Sequence, residues 1–358
     1  MNLWRNILLG IFIAINLLIA SATIFAAYAG HINPNEMAIA PIACMLLPFA
    51  AIVTLVMIPI SFLIKKWTSL IPIATVIICL SPLLNLCPLN AFNKNDHKKI
   101  SNNDFSLLCY NAYNFRALDD AYPSDSTNAK LSYIIHTDAD IVCLQECEYL
   151  SPLKAWHVYR PQVDSLKKQY PYQIIGVENG ESILSKFPVE KISSEGYYSH
   201  FRVEMDNNTI DIIDVHLRSL RLTQEEKDQY SDLTGLSGHN SRIKDIARKV
   251  ASAAKNRARQ AEKLRKYIDN IDSENIIVCG DFNDVPNCYA INTICDDFDD
   301  AYADCGFGPT ITYHGDKLYF RIDHIFYEGD FEATSITRGD IDRSDHYPLV
   351  ATFHWDKN

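Results

Sequence analysis

"VCGDFNDVP", residues 278–286, carries the end of an apolar run, Ile276-Ile277-Val278-Cys279, straight into Gly280-Asp281-Phe282-Asn283-Asp284. A short apolar run bounded by turn residues reads as a buried strand. Two carboxylates and an amide therefore stand at the mouth of a strand that the fold has just buried. Gly, Asp and Asn adopt turn conformations at little cost, so an ordinary turn is one reading. A rigid mount for reactive groups is the other, and the rest of the chain decides between them.

Other strand-like segments end in the same way. "LLCYNAYN" (107–114) reaches Asn111, "IVCLQECE" (141–148) reaches Gln145-Glu146, and "IIDVHLRS" (212–219) carries Asp214 and His216. "RIDHIFY" (321–327) holds Asp323 and His324, and "RSDHYPLVATF" (343–353) opens with Asp345-His346. Together with 278–286 these make six polar tips bearing carboxylates, amides and imidazoles, without a nucleophilic Ser or Cys motif. That set suits metal-assisted hydrolysis. Attack on a phosphodiester needs a hard divalent cation on oxygen ligands, and Mg²⁺ often takes only one or two protein carboxylates. It needs a group that deprotonates and aims water, and a donor or cation on the charge developing at phosphorus. Each working imidazole needs a carboxylate to hold its tautomer. Asp214, two residues before His216, either orients that imidazole or stands exposed. His324 follows Asp323, points to the opposite face of its strand and reads as a packed histidine.

The ordered set "YN", "LQE", "SILSKFPV", "DVHLRS", "GDFND", "IDHIFY" and "SDHYPLV" resembles the endonuclease/exonuclease/phosphatase superfamily. That superfamily includes DNase I-like nucleases, AP endonucleases, sphingomyelinases and inositol-polyphosphate 5-phosphatases. The likeness runs from about residue 105 to 355. It implies an α/β, DNase I-like four-layer sandwich, two packed β-sheets flanked by helices. It also implies Mg²⁺, with Mn²⁺ as the alternative, on Glu146 with Asn111 beside it, while Asp345 supports the metal or its waters. By the same resemblance Asp281 activates or positions the attacking water, and Asn283 orients that water or the phosphate. His346 contacts the phosphate at the scissile bond, Asp323 orients His346, and His216 is a second histidine facing the phosphate.

The patterning of residues agrees with a layered α/β domain. Strand-like segments cover Phe105–Tyr110, Ile141–Leu144, Ser182–Leu184, Thr209–Val215, Asn275–Cys279, Arg321–Tyr327 and Leu349–Phe353. A long amphipathic helix is predicted over Ser241–Ile271, with Val250, Ala254, Ala258, Ala261, Leu264 and Ile268 on one stripe. The opposite face, Arg248, Arg257 and Lys263 among its residues, reads as solvated, with anionic lipid or phosphate contact as the alternative.

Residues 1–92 are different in kind. Their only charges are Arg5, Glu36, Lys65 and Lys66, and they contain apolar runs at Ile7–Ala29, Ala38–Ile64 and Leu70–Leu89. Each meets the roughly 20 residues of a membrane-spanning helix. The first alone resembles a signal peptide, but two further runs favour an integral three-helix, all-α transmembrane anchor. A polar linker at 93–103 and a catalytic domain at 104–358 follow. Arg5 and Lys65-Lys66 place the N-terminus and the second loop in the cytoplasm. Three crossings of a bacterial-type inner or plasma membrane then leave the catalytic domain on the extracytoplasmic side.

From residue 100 onward the chain carries 27 basic and 42 acidic residues. Such a domain is a poor non-specific binder of nucleic acid, whose affinity comes mostly from neutralised phosphates. Ten cysteines at irregular spacing, without a CxxC pair, describe neither a disulfide framework nor a zinc site. The favoured reading is a membrane-anchored Mg²⁺-dependent phosphodiesterase or phosphatase acting on a lipid headgroup or small phosphorylated molecule. An extracytoplasmic nuclease on DNA or RNA is the alternative, and a catalytically silent binding module the last. The polar segment 220–240, which follows His216, is a candidate lid.

Overall fold

The apolar runs of the N-terminal quarter become helices. In a computed structural model of the chain, α1 spans Asn2–Tyr28 and α2 spans Ala40–Ile64. At 1.5 Å per residue they are about 40 and 37 Å long, enough to cross a hydrocarbon core of about 30 Å. The third run is not one helix. It breaks at Cys79 into α3 (Leu70–Ile78) and α4 (Leu80–Leu86), bent by 63°. Pro82 has no N–H to donate to the Ile78 carbonyl, which accepts from the Tyr28 hydroxyl instead, so a ladder bond is missing at this turn. Two helices thus have the length and hydropathy of membrane spans, and the bent pair makes a third only if counted together. The described residues are 2–90, 101, 103–116, 127–147, 159–177, 180–205, 208–220, 239–315, 319–341 and 344–356. Most of the expected linker and of the candidate lid lies outside them.

Among the described residues, twelve strands form two six-stranded sheets. The first has the order β11 (Phe331–Arg338), β12 (Leu349–Trp355), β1 (Asp104–Asn111), β2 (Ile141–Gln145), β4 (Glu181–Ser185), β3 (Tyr172–Val177). The second runs β5 (Val189–Glu195), β6 (Tyr198–Met205), β7 (Asn208–His216), β8 (Ile276–Asp281), β10 (Asp323–Glu328), β9 (Asp299–Asp300). The sheets face each other across a core holding Phe105, Phe201, Ile277, Phe331 and Phe353. Outside the first sheet lie α5 (Ala129–Thr137) and α6 (Arg160–Gln169), with Leu131, Ile134 and Leu166 turned inward. Outside the second lie α7 (His239–Ile268) and α8 (Tyr289–Ile294), with Ala261, Leu264, Ile268 and Ile291 turned inward. A short α9 (Ala301–Cys305) follows β9. The four-layer sandwich expected from the resemblance is the observed fold. The stripe of small residues on α7 is its buried face, and all ten cysteines are free.

The apolar helices are not tethered at a distance. Ala26, Ala27, Ala29, Ala40, Ala43, Cys44 and Leu47 form one buried cluster with Val285, Cys288 and Ile322 of the sandwich. Small residues permit this close approach. A Cβ on Gly30 would sit 1.7 Å from the Asn287 carbonyl oxygen. Polar pairs fix the seam: Asn33 donates to Glu262 at 2.8 Å, Asn85 to Asn287 at 2.8 Å, and Asn287 to the Pro82 carbonyl at 2.9 Å.

Candidate active site

Strand register brings the polar tips together. The first sheet has one parallel pair, β1 with β2, which sets Asn111 beside Gln145 and so next to Glu146. The second has one parallel pair, β7 with β8, which sets His216 beside Asp281. Across β8 the antiparallel partner β10 sets Asp323 against Asp281 from the other side. Gly280 makes the last turn of β8 feasible. Its φ of 136° is a glycine conformation, and an added Cβ would meet the Val215 carbonyl oxygen at 2.0 Å.

Glu146, His216, Asp281, Asn283, Asp345 and His346 line one cleft of about 200 Å³. Glu146 and Asn283 have left-handed backbones, φ 49° and 51°, which carry their side chains off the strand ends. Such conformations cost on the order of 1–3 kcal/mol each and persist where the surroundings over-determine them. His216 Nε2 lies 3.7 Å from Glu146 Oε1 and 3.9 Å from Asp281 Oδ2. His346 Nε2 lies 3.6 Å from Asp281 Oδ2. Two predicted residues stand behind the wall. Asp323 accepts from His346 Nδ1 with both oxygens, at 2.9 and 3.1 Å. Asn111 donates to Asp281 at 3.0 Å and to Glu146 at 3.3 Å, while its Oδ1 accepts from the Tyr113 N–H at 3.1 Å. It bridges two carboxylates with its amide nitrogen, and its oxygen is turned away from them. Asn283 braces the site, its N–H on Asp281 Oδ1 at 2.8 Å and its Nδ2 on the Leu217 carbonyl at 3.0 Å.

Burial opposes a charge on His346, but the carboxylates of Asp323, Asp281 and Asp345 outweigh it and push the imidazole up to about 10. Burial raises Asp281 above the ordinary carboxylate range, partly offset by His346 and His216. His324, on the far face of β10, shows burial without such partners: it is pushed down to about 4, and Arg321 adds to the effect. It packs edge-on against Phe282 and stacks on Phe326, as a packed histidine should.

Two buried cations, Arg257 and Lys130, lie at or near the cleft. Arg257 is not on the solvated face of α7. It is 2 % exposed, pairs with Asp284 at 3.0 Å and lines the cleft. Its position one residue before the buried Ala258 places it at the edge of the apolar stripe, and that was the available signal. Lys130, at the start of α5, is buried with its ammonium on the Ala112 carbonyl at 2.9 Å. Desolvation lowers it to about 8 against the pull of Asp345 and Glu146. Asp214 neither orients His216 nor stands exposed. It is fully buried, and Gln145 Nε2 donates to it.

Hard oxygen donors for a divalent cation are present. Glu146 and Asp345 offer carboxylates to the cleft, and Asp345 Oδ1 is buried without a hydrogen-bond partner. A second cluster of donor atoms, from Asp281, Asp323 and His346, lies within 4.8 Å of one another, but there Asp323 and the imidazole Nδ1 already satisfy each other.

A sequence model of the Endonuclease/Exonuclease/phosphatase family matches residues 108–346. The chain belongs to that family. Residues 9–86 match a separate domain of unknown function, DUF8431. Nothing among curated proteins matches. The chain is similar to the crystal structure of an endonuclease/exonuclease/phosphatase from Beutenbergia cavernae, at 19% identity and TM-score 0.47, covering 71% of this chain and 72% of that one. It is similar to the one from Bacteroides vulgatus, at 17% and 0.46, covering 71% and 99%. A beta toxin variant from Staphylococcus aureus with bound magnesium ions matches at 17% and 0.42, covering 71% and 100%.

Proposed function

We propose that this chain is a membrane-anchored, divalent-cation-dependent hydrolase of phosphate esters, with water as nucleophile. The observation that carries this reading is the meeting of Glu146, Asp281, His216 and His346, from separate strand ends of two sheets, at one cleft. Glu146 and Asp345 are the hard donors for Mg²⁺ or Mn²⁺, and the unpartnered Asp345 oxygen suits that role. A cation held there would draw charge off the phosphate oxygens. Asp281, raised by burial, takes a proton from water near neutral pH and aims the oxygen at phosphorus. His346, protonated and fixed by Asp323, faces the phosphate charge that grows as the ester bond breaks. His216 is the second donor to the phosphate, Asn283 braces Asp281, and Asn111 keeps Glu146 and Asp281 at their spacing.

Residues 1–92 serve as the anchor and 104–358 as the catalytic domain. The ends of α1 and α2 that touch the sandwich, around Ala29 and Ala40, are opposite the ends carrying Arg5 and Lys65-Lys66. This supports an extracytoplasmic catalytic domain, because basic residues stay in the cytoplasm. The test is the full chain in detergent with bis-p-nitrophenyl phosphate, sphingomyelin and plasmid DNA under Mg²⁺, Mn²⁺ or EDTA. Cation-dependent turnover of the small diester, lost in His346→Ala, is the expected result. No turnover of any substrate with any divalent cation overturns the reading, and DNA cleavage alone, suppressed by modest salt, replaces it with a nuclease.

A further inference from the structure

The cleft has a neighbour. A cavity of about 530 Å³ lies between the apolar helices and the sandwich, in the size range of ligand sites, about 300–1,000 Å³. Met45, Val285 and Phe320 form walls of both the cavity and the cleft, so the two adjoin. On α2 the cavity is lined by Cys44, Met45, Pro48, Ala51, Ile52 and Leu55. These positions share one helix face and extend about 16 Å along its axis, away from the cleft and toward the cytoplasmic end of the span. Val76, Leu80 and Leu83 of α3 and α4 form the other side, so the bend between those helices opens the space. Its one charged lining residue among those described, Arg321, is committed to Asp300 at 2.9 Å and to the Asn85 carbonyl at 2.8 Å. Tyr319 and Leu89, 60% and 67% exposed, stand at the rim where headgroups would meet the domain.

A groove that starts at the cleft and runs along a membrane span has the form of a hydrocarbon chain joined to a phosphate. We infer that it is the acyl-chain subsite of this active site, and that the substrate is a membrane lipid whose phosphate ester enters the cleft while one chain lies along α2. The inference rests on the hydrolase reading and deepens it. The occupant is the substrate's own chain and not a resident annular lipid, because the groove borders the cleft directly, with three residues lining both.

The experiment uses the full chain in lipid nanodiscs and a series of p-nitrophenyl alkyl phosphates from ethyl to decyl, below their micelle concentrations, with Mg²⁺. Burying one methylene gives about 0.8 kcal/mol, or about fourfold, so kcat/KM should climb by up to about fourfold per methylene until the groove is full. Leu55→Trp and Ile52→Trp, each narrowing the groove, should lower the decyl-to-ethyl ratio at least tenfold. Partition into the disc is common to all three proteins and cancels in that comparison. A flat series, or the same ratio in wild type and both variants, overturns the subsite while leaving the hydrolase intact. If no ester is turned over, the hydrolase reading has failed, and calorimetric binding of decylphosphonate against ethylphosphonate decides the groove alone. A decyl preference that both variants abolish sustains it, and equal affinities end it.

Discussion

Replacing Asp323 by Asn removes the charge that holds His346 protonated and keeps the side chain's shape. Both Asp323 oxygens lie on the imidazole Nδ1, at 2.9 and 3.1 Å, in a place that is 1 % exposed. The neighbouring His324, whose ring no carboxylate hydrogen-bonds, is held down to about 4 by burial, with Arg321 adding to the effect. Asp281, 3.6 Å away, leaves some support in the variant. A fall of His346 from about 10 by roughly 3 units, worth about 4 kcal/mol at about 1.4 kcal/mol per unit, is therefore expected. That figure agrees with the cost of breaking a buried ion pair, about 3–5 kcal/mol. The assay is ring-carbon NMR of labelled histidine, pH 5 to 10, in EDTA, for wild type and variant. Wild-type His346 should stay protonated through pH 9, and the variant should titrate near neutrality, with kcat under Mg²⁺ lower by about 10²–10⁴-fold. The linkage has a definite sign. A histidine raised on folding adds stability that is complete below its unfolded value of about 6.5 and disappears as pH rises through about 10. Wild type should lose stability between those limits, and the variant should show a much smaller alkaline loss. A variant whose His346 remains charged at pH 9 would refute the assignment of Asp323 as its holder.

Three further outcomes follow from the geometry. Glu146→Gln, which keeps the hydrogen bond from Asn111 and removes the charge, should raise the Mg²⁺ concentration for half-maximal turnover at least tenfold, as read by a metal titration. Gly280→Ala forces a Cβ to 2.0 Å from the Val215 carbonyl at a φ of 136°; a loss of roughly 2–5 kcal/mol from strain and overpacking should appear in thermal unfolding. Asp211 is opposed by burial yet lowered to about 2 by bonds from His200 and Arg202. Its contribution, about 2 kcal/mol, is present above about pH 4 and fades as pH falls through its folded value, so Asp211→Asn should flatten acid destabilisation between pH 4 and 2.

The polar tips were readable because each interrupts an apolar run, and strand ends that carry carboxylates have few structural uses. The long helix was readable from its period, predicted over 241–271 and observed over 239–268. Edge strands were not. In β5, "VEKISSE", no residue is fully buried and Val189 alone packs against the core, so no alternating inward face marks the strand, and its pairing with β6 defines it. Arg257 read as solvated because a charge beside an alanine stripe usually is, and its burial follows from Asp284 arriving from another element. The contact between apolar helices and sandwich lay beyond periodicity altogether. Ala26, Ala27, Gly30, Ala40 and Ala43 look like ordinary membrane-helix residues until the surface they meet is known.

That contact bears on how the molecule can be handled. Because Val285, Cys288 and Ile322 are buried in one cluster with the N-terminal helices, a version cut free near residue 100 would present a greasy scar where its lid of alanines had been. Proteolytic release should therefore yield clumps and not a working catalytic domain. Any preparation meant to report on the chemistry has to bring its apolar helices along.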